Sequence, residues 1–258
     1  MNIEKYRWLI PIRLYWSWLI GFIVISLAIS LNYDWTTSIL LTISAYGTVL
    51  LHELTHVFVS NGISNTRVVN EIQLHFYGAI GAIDEKQYID PGTEFLYTIA
   101  GPIMSLMFSI IFTIMGNRVD DQALIWLAQF NFFVFLYNCL PAYPLDGGRA
   151  IKAYLRTIRS NKSKGSIVAD YRATAQALKL GEKTRGLLVA LGIAWYYFYP
   201  QAINSIILLE LFVVISWLFS LLEKKGLEER ISTSNEIDPG EREILKNYLK
   251  NRQPSFSL

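Results

Sequence analysis

The chain has 258 residues, of which 52% are hydrophobic and 17% are charged, and its formal net charge at pH 7 is +2. This composition is too apolar for an ordinary soluble domain. The single cysteine, Cys139, excludes an internal disulfide.

Long uncharged runs predict an all-α polytopic membrane protein with about six transmembrane helices. Each run is long enough, or nearly so, to cross a bilayer, and the last apolar stretch is divided by a turn at Tyr199-Pro200. The first run resembles a signal peptide, but the later topology needs it in place as a span. The predicted spans are residues 14–33, 35–60, 93–117, 122–145, 185–199 and 202–222.

The distribution of charge predicts the orientation in the membrane. Ten basic residues but only two acidic ones lie between Arg149 and Arg185, and further basic residues precede the first span and follow the last. By the positive-inside rule these regions are cytoplasmic, and six spans place both termini on that side. We therefore expect a multi-pass protein of the cell membrane with cytoplasmic N- and C-termini. The basic stretch favours contact with anionic lipids of the bilayer, and no nucleic-acid partner is expected.

The end of the second span carries the sequence His52-Glu53-Leu54-Thr55-His56. On a helix, residues at i and i+4 share one face, so the two imidazoles can bind one metal ion. Glu53 can reach a metal-bound water as general base. Ionisable groups at membrane depth are costly without a partner, and a zinc ion supplies one. Zinc, water and a carboxylate together indicate a hydrolase.

The segment after the second span has a different pattern. Apolar and polar residues alternate with a period of two, and two glycines then interrupt the run. This alternation predicts a small β hairpin or sheet on the cytoplasmic side. The alternating apolar positions are Ile72, Leu74 and Phe76, and the glycines are Gly78 and Gly81.

A zinc site needs a third protein ligand, with the fourth position left for water. Asp146 is the best placed, because the fourth span returns to the depth of the two histidines and ends at this residue. Pro141 and Pro144 break the helix there, and the Gly-Gly pair that follows Asp146 allows a tight turn. His75 and Cys139 are alternative ligands.

Three sequence blocks together resemble the site-2 protease family of intramembrane metalloproteases. They are His52-Glu53-Leu54-Thr55-His56, Ala100-Gly101-Pro102, and the Asn-x-x-Pro-x-x-Pro-Leu-Asp-Gly-Gly-Arg pattern from Asn138 to Arg149. The resemblance covers about residues 45–155. Family members often have Asn three residues after the Gly-Pro pair, where this chain has Ser105.

The resemblance implies that His52, His56 and Asp146 bind one Zn²⁺ per chain and that Glu53 is the catalytic base. It also implies that the glycine-bearing strand segment corresponds to the membrane-associated β region of the family. An edge strand there could hold an unwound substrate by β-augmentation. The candidate substrate-binding residues are Asn138, Ile72, Leu74, Phe76 and Gly78.

These inferences predict an intramembrane zinc metalloendopeptidase that acts in regulated intramembrane proteolysis. Its expected partners are single-span membrane proteins, often membrane-tethered regulators by family resemblance. Residues 1–222 form the predicted transmembrane metalloprotease domain, and 223–258 form a polar cytoplasmic tail in which Asp238-Pro239 begins a short helix. The alternatives are a catalytically silent scaffold that binds membrane helices and a metal transporter.

Overall fold

The computed structural model of the chain is mostly helical, with one small sheet. The chain divides into two compact units, Met1–Asn138 and Cys139–Leu258. The structure describes residues 10–64, 69–75, 78–83, 90–160, 167–198, 203–234 and 237–250.

The first unit is built around long helices. Among its described residues these are α1 (Trp16–Ile29), α2 (Trp35–Ser64), α3 (Pro91–Val119) and α4 (Gln122–Asn138). The first predicted span is shorter in the structure than residues 14–33. The fourth predicted span also ends early, at Asn138 instead of residue 145.

The start of α3 is fixed by local hydrogen bonds. The Asp90 carboxylate accepts from the backbone N–H groups of Gly92 (3.0 Å) and Thr93 (3.2 Å). Pro91 occupies the first helical position, where its missing N–H leaves no hydrogen bond unmade. These groups set the residue at which α3 begins, two residues before the predicted span of 93–117.

The sheet has three strands in the order β1 (Ile12–Leu14), β2 (Val69–His75) and β3 (Gly78–Ile83). Strands β2 and β3 pair antiparallel, which confirms the predicted hairpin. Strand β1 pairs parallel with β2, with Ile12 opposite Ile72. Strand β1 is not predicted from the sequence, because a parallel pairing of segments so far apart in the chain leaves no local pattern.

Side chains of the sheet help to hold it against α2. Ile72 of β2 is fully buried and forms a small apolar cluster with Val57 of α2. Ile10, Leu50 and Leu54 pack around this cluster. The sheet is thereby fixed beside the part of α2 that carries His52 and His56.

The first unit buries polar side chains and exposes apolar ones. Ser38 and Thr42 of α2 are fully buried. The Ser26 hydroxyl of α1 donates to Thr42 Oγ1 (3.0 Å), and Thr42 donates in turn to the Ser38 carbonyl (2.8 Å). Ile103 and Ile110 of α3 are half exposed, at 50% and 52%. Small polar residues between helices and large apolar residues outside are typical of helices packed in lipid.

Two helices among the described residues, α2 and α3, are long and apolar enough to cross a membrane. Helix α1 is apolar as well, but it has only 14 residues. A helix of that length spans about 21 Å, against the roughly 30 Å of a hydrocarbon core. Two of the six predicted spans therefore have helices of membrane-spanning length, and the other four spans stay predictions.

The described part of the second unit is also helical. It comprises α5 (Asp146–Ser160), α6 (Ile167–Phe198), α7 (Ile203–Thr233) and α8 (Pro239–Leu249). Helix α6 extends the fifth predicted span of 185–199 towards the N-terminus, because the polar segment before the apolar run is helical too. Helix α7 extends the sixth predicted span of 202–222 to Thr233.

Helix α8 confirms the short helix predicted after Asp238-Pro239. The Asp238 carboxylate accepts from the Gly240 N–H (2.9 Å), which caps the helix. The apolar face of α8 packs into the core of the second unit. The buried residues of this core are Tyr171, Ala175, Leu178, Leu227, Ile231, Ile237, Leu245 and Leu249.

Candidate metal centre

The two histidines of the H-E-x-x-H sequence lie on one face of α2, as their spacing predicts. Their side chains are buried, with His52 2% exposed and His56 5% exposed. Their Nε2 atoms lie 3.2 Å apart. One ligand atom from each of His52, Glu53 and His56 lies within 4.8 Å of the others, which brings these three groups into one cluster.

Helix α3 contacts the opposite nitrogen of each imidazole. His56 Nδ1 lies 2.6 Å from the Tyr97 carbonyl oxygen, and His52 Nδ1 lies 2.8 Å from Ser105 Oγ. A carbonyl can only accept, so His56 Nδ1 carries the proton in this contact. In a neutral imidazole the Nε2 atom is then left with a lone pair. Such partners fix the ring orientation and the tautomer of metal-binding histidines.

Gly101 of α3 lies directly against both imidazoles. A Cβ atom at this position would fall 2.3 Å from His56 Nε2 and 2.6 Å from His52 Nε2. These distances are far below van der Waals contact. Any side chain at position 101 would therefore fill the space next to the two Nε2 atoms, and glycine leaves it open.

The donor atoms of this cluster fit a zinc ion. Two nitrogens that bind the same tetrahedral zinc ion at about 2.0–2.1 Å should lie about 3.3 Å apart. The Nε2 separation between His52 and His56 is 3.2 Å. Imidazole nitrogen is a common zinc ligand, and Glu53 adds a carboxylate beside the pair.

Asp146 is the first residue of α5 in the second unit, and it is 7% exposed. The Arg149 guanidinium lies 3.8 Å from its carboxylate. The backbone N–H groups at a helix N-terminus also favour a negative charge there. The role of Asp146 as the third zinc ligand stays a prediction.

The two glycines after Asp146 are required by close backbone contacts. A Cβ atom on Gly147 would lie 2.4 Å from the Leu140 carbonyl oxygen. One on Gly148 would lie 2.2 Å from the Tyr143 nitrogen. The turn from the preceding segment into α5 therefore folds back on itself too tightly for any side chain at these positions.

The described candidate substrate-binding residues of the sheet lie on two strands, with Ile72 and Leu74 on β2 and Gly78 on β3, and their contact with substrate stays a prediction. Ile72 and Leu74 are buried, and β2 is the central strand of the sheet, so its backbone is already paired on both sides over these residues. The edge strand within the predicted segment is β3, which begins at Gly78. Phe76 lies outside the described residues.

Asn138 is the last residue of α4. Its Nδ2 donates to the Val134 carbonyl (3.1 Å), which ties the amide to its own helix. This hydrogen bond orients the side chain at the end of α4. Its contact with substrate stays a prediction.

The two alternative ligands have other local environments. The His75 ring stacks on Tyr15 with 4.4 Å between ring centroids. Burial lowers the pKa of His75, which favours its neutral form. Cys139 is exposed and lies in the second unit.

Three groups at this site have no predicted role: the Tyr97 carbonyl, Gly101 and the Ser105 hydroxyl. The Ala-Gly-Pro block is a sequence signal for Gly101, and the departure from Asn is a signal for Ser105. Neither signal shows which histidine is contacted. The Tyr97 contact uses a backbone atom, which leaves no trace in the residue type.

Three curated proteins match the chain over a similar length. A protein of Synechocystis sp., provisionally named zinc metalloprotease sll0528, is 30% identical over 165 residues, which cover 61% of this chain and 40% of that protein. Rip3 of Mycobacterium tuberculosis, also provisionally named a zinc metalloprotease, is 33% identical over 57% of this chain and 36% of its own length. Zinc metalloprotease MJ0392 of Methanocaldococcus jannaschii is 29% identical over 57% of this chain and 43% of its own length.

No protein-family model matches the chain. The matched region is less than half of each of these relatives, at 40%, 36% and 43% of their lengths. These relatives confirm that the chain resembles zinc metalloproteases, as its three sequence blocks predict.

Proposed function

We propose that this homologue of zinc metalloproteases is an intramembrane zinc endopeptidase of the site-2 protease type. The observation that carries the proposal is the buried pair of Nε2 atoms of His52 and His56, 3.2 Å apart, with Glu53 in the same cluster. Two imidazoles at i and i+4 with a carboxylate between them are the arrangement of H-E-x-x-H metalloproteases.

The residues of this chain have distinct roles in the proposed reaction. His52 and His56 would hold one zinc ion per chain, with Asp146 as the third ligand by resemblance to the family. Zinc bound there would supply Lewis-acid chemistry that activates water and polarises a peptide carbonyl. Glu53 takes the proton of the attacking water and returns it to the leaving amine.

Ser105 and the Tyr97 carbonyl hold the histidines for this task. With Nδ1 of each ring turned towards α3, the Nε2 atoms of His52 and His56 point to a common place. The rings need no reorientation when the metal binds. Such preorganisation lowers the free-energy cost of binding and keeps the site geometry constant through the reaction.

The membrane is the proposed environment of this site. Two membrane-length helices and an apolar exterior around buried Ser and Thr side chains support it. A multi-pass topology with both termini cytoplasmic follows from the charge distribution. The histidines would then lie near the cytoplasmic end of the second span, which places cleavage near that face.

The proposed substrates are single-span membrane proteins, including membrane-tethered regulatory proteins. Membrane-embedded helices hide their carbonyl groups in hydrogen bonds, so a substrate must unwind locally before attack. The names of the relatives specify a zinc metalloprotease and no substrate. The substrate class therefore rests on the resemblance to the site-2 protease family.

The β3 edge is the proposed docking strand for the unwound substrate. Strand β3 (Gly78–Ile83) pairs with β2 on one side and is an edge of the described sheet. An extended peptide can add to such an edge through main-chain hydrogen bonds. The order of the strands therefore moves the proposed contact from Ile72 and Leu74 to β3.

Proline substitution along β3 tests this docking strand. Successive N–H groups of a strand point to opposite sides, so Ile80→Pro and Gly81→Pro remove donors on opposite edges. One of the two variants loses the N–H group that faces away from β2, and we expect its kcat/KM to fall about fivefold. This factor corresponds to the roughly 1 kcal/mol that one hydrogen bond contributes. The zinc content should not change. Equal cleavage by wild type and both folded variants would exclude docking on β3.

Zinc removal tests the proposed chemistry. The purified protein is expected to contain one zinc per chain and to cleave a tagged single-span substrate in detergent. Chelation should abolish cleavage, and zinc added back should restore it, because the proposed reaction needs the Lewis acid that zinc supplies. Metal analysis of the protein measures its zinc content, and gel analysis of the substrate measures cleavage. Cleavage that persists in metal-free protein would contradict the proposal.

The two rival functions are a silent scaffold and a metal transporter. A scaffold has no need for a general base beside the histidine pair, yet Glu53 is present. A transporter should have polar residues along a path through several spans. The titratable groups of this cluster instead lie together on neighbouring turns of α2.

A further inference from the structure

The loop that leads from α4 to Asp146 has little regular structure of its own. Two short backbone hydrogen bonds shape it, from Ala142 N–H to the Leu140 carbonyl (2.7 Å) and from Leu145 N–H to the Ala142 carbonyl (2.8 Å). A segment with few backbone hydrogen bonds of its own depends on contacts with neighbouring elements for its rigidity. We refer to residues 139–145 as the ligand loop.

Helix α6 supplies this support. The Arg185 guanidinium donates from Nη1 to the Tyr143 carbonyl (3.3 Å). The Thr184 hydroxyl lies 3.0 Å from the Leu180 carbonyl of its own helix and 3.3 Å from the Pro141 carbonyl, so its one proton is shared between them. Gly181, one turn earlier, lies so close that a Cβ atom there would be 3.0 Å from the Tyr143 nitrogen. Three neighbouring residues of one helix therefore contact the backbone of the ligand loop.

Arg185 is itself anchored from the other side. It is 4% exposed, and its Nη2 donates to Ser220 Oγ of α7 (2.9 Å). Burial of a guanidinium costs desolvation free energy, so its hydrogen bonds are made in a setting where they strongly constrain the groups that accept them. Its planar fork holds two acceptors in fixed directions, which a lysine cannot do. One side chain thus joins α6, α7 and the ligand loop.

A second attachment holds the helix that begins with Asp146. Asp170 of α6 lies 3.1 Å from Lys152 Nζ and 3.2 Å from Arg156 Nε, both on α5. Arg156 is 8% exposed, so this ion pair is partly shielded from water. Helix α5 is therefore tied to α6 at one end, and the ligand loop is tied to α6 by Arg185.

We propose that Arg185 is a positioning residue that fixes the ligand loop and thereby orients the Asp146 carboxylate for zinc. This inference rests on the proposed function, in which Asp146 is a zinc ligand. Arg185 acts through the loop backbone and touches no reacting atom. It lies outside the three sequence blocks that define the family resemblance.

The test uses the full-length protein in detergent with the variant Arg185→Met, which keeps an apolar stem and removes the donors. Zinc affinity, measured by competition with a chelator, is expected to fall about tenfold or more, as for other groups that orient metal ligands. Hydrogen exchange of the 139–146 segment should rise. The value of kcat should fall while KM stays constant, because substrate docking is unaffected.

Arg172→Met is the matched control. Arg172 also starts from α6 and joins another helix, through an ion pair with Glu241 of α8, and it lies more than three helical turns before Arg185. We expect wild-type zinc affinity and wild-type exchange of the loop in this variant. Equal losses in Arg172→Met and Arg185→Met would overturn the inference, as would wild-type behaviour of Arg185→Met.

Two further variants keep the outcomes distinct. If Arg185→Met does not fold, Ser220→Ala removes only the anchor of Arg185, and unchanged loop exchange in Ser220→Ala would overturn the inference. Asp146→Asn reports on the proposed function. If Asp146→Asn binds zinc like the wild type, Asp146 is not a ligand and the inference falls with that assignment. If it loses zinc and Arg185→Met does not, only the positioning role fails.

Discussion

Replacement of Glu53 by glutamine is expected to lower the rate of peptide cleavage by about 100- to 10,000-fold, the usual contribution of a general acid–base. The amide has nearly the shape of the carboxylate but cannot accept a proton from water. Zinc content should stay at one per chain, because His52, His56 and Asp146 remain. Cleavage of a tagged single-span substrate and metal analysis of the same preparation measure both quantities.

The Glu53→Gln variant also separates the rival functions. A scaffold would bind its membrane partner equally well in both forms, and a transporter would still move metal. Loss of cleavage with retained zinc would therefore identify an enzyme. Equal cleavage by wild type and variant would contradict the role of Glu53 as base.

Replacement of Gly101 by alanine is expected to remove the metal site while most of the fold is retained. The new methyl group would lie 2.3 Å from His56 Nε2 and 2.6 Å from His52 Nε2. The rings must then turn, which breaks their Nδ1 contacts with α3, or the helices must separate. We expect zinc affinity to fall on the order of 100-fold and stability by about 1–3 kcal/mol. Chelator competition and thermal unfolding measure these changes.

Two companion variants make this prediction specific. Gly47→Ala adds the same methyl group to α2 where nothing lies within 4 Å, so zinc affinity should not change. Ser105→Ala removes only the hydroxyl beside His52 and should weaken zinc binding about tenfold. Wild-type zinc affinity in Gly101→Ala would show that the glycine does not shape a metal site.

Local patterns predicted several elements correctly. The i, i+4 spacing of His52 and His56 places them together on any helix, because helical geometry is the same in every protein. The alternation after the second span predicted the β2–β3 hairpin, and Asp238-Pro239 predicted the start of α8. Each of these signals depends on residues that are close in sequence.

Helix bounds were predicted less well. The apolar run that reaches residue 145 continues past the end of α4 at Asn138, because proline rather than polarity ends the helix. Helix α6 begins well before its apolar run, because the polar segment packs one face into the core of its unit. Hydropathy reports the environment of a segment and not where its hydrogen bonding starts.

The sequence by itself determined the candidate metal-binding pair, the candidate base, and the presence of apolar helices and a hairpin. The tertiary structure alone decided that β1 makes β2 the central strand, that Gly101 and Ser105 face the histidines, and that Arg185 holds the ligand loop. The reason is physical. Backbone geometry fixes relations between neighbours in sequence, whereas contacts between distant segments depend on how whole elements pack and leave no regular spacing to detect.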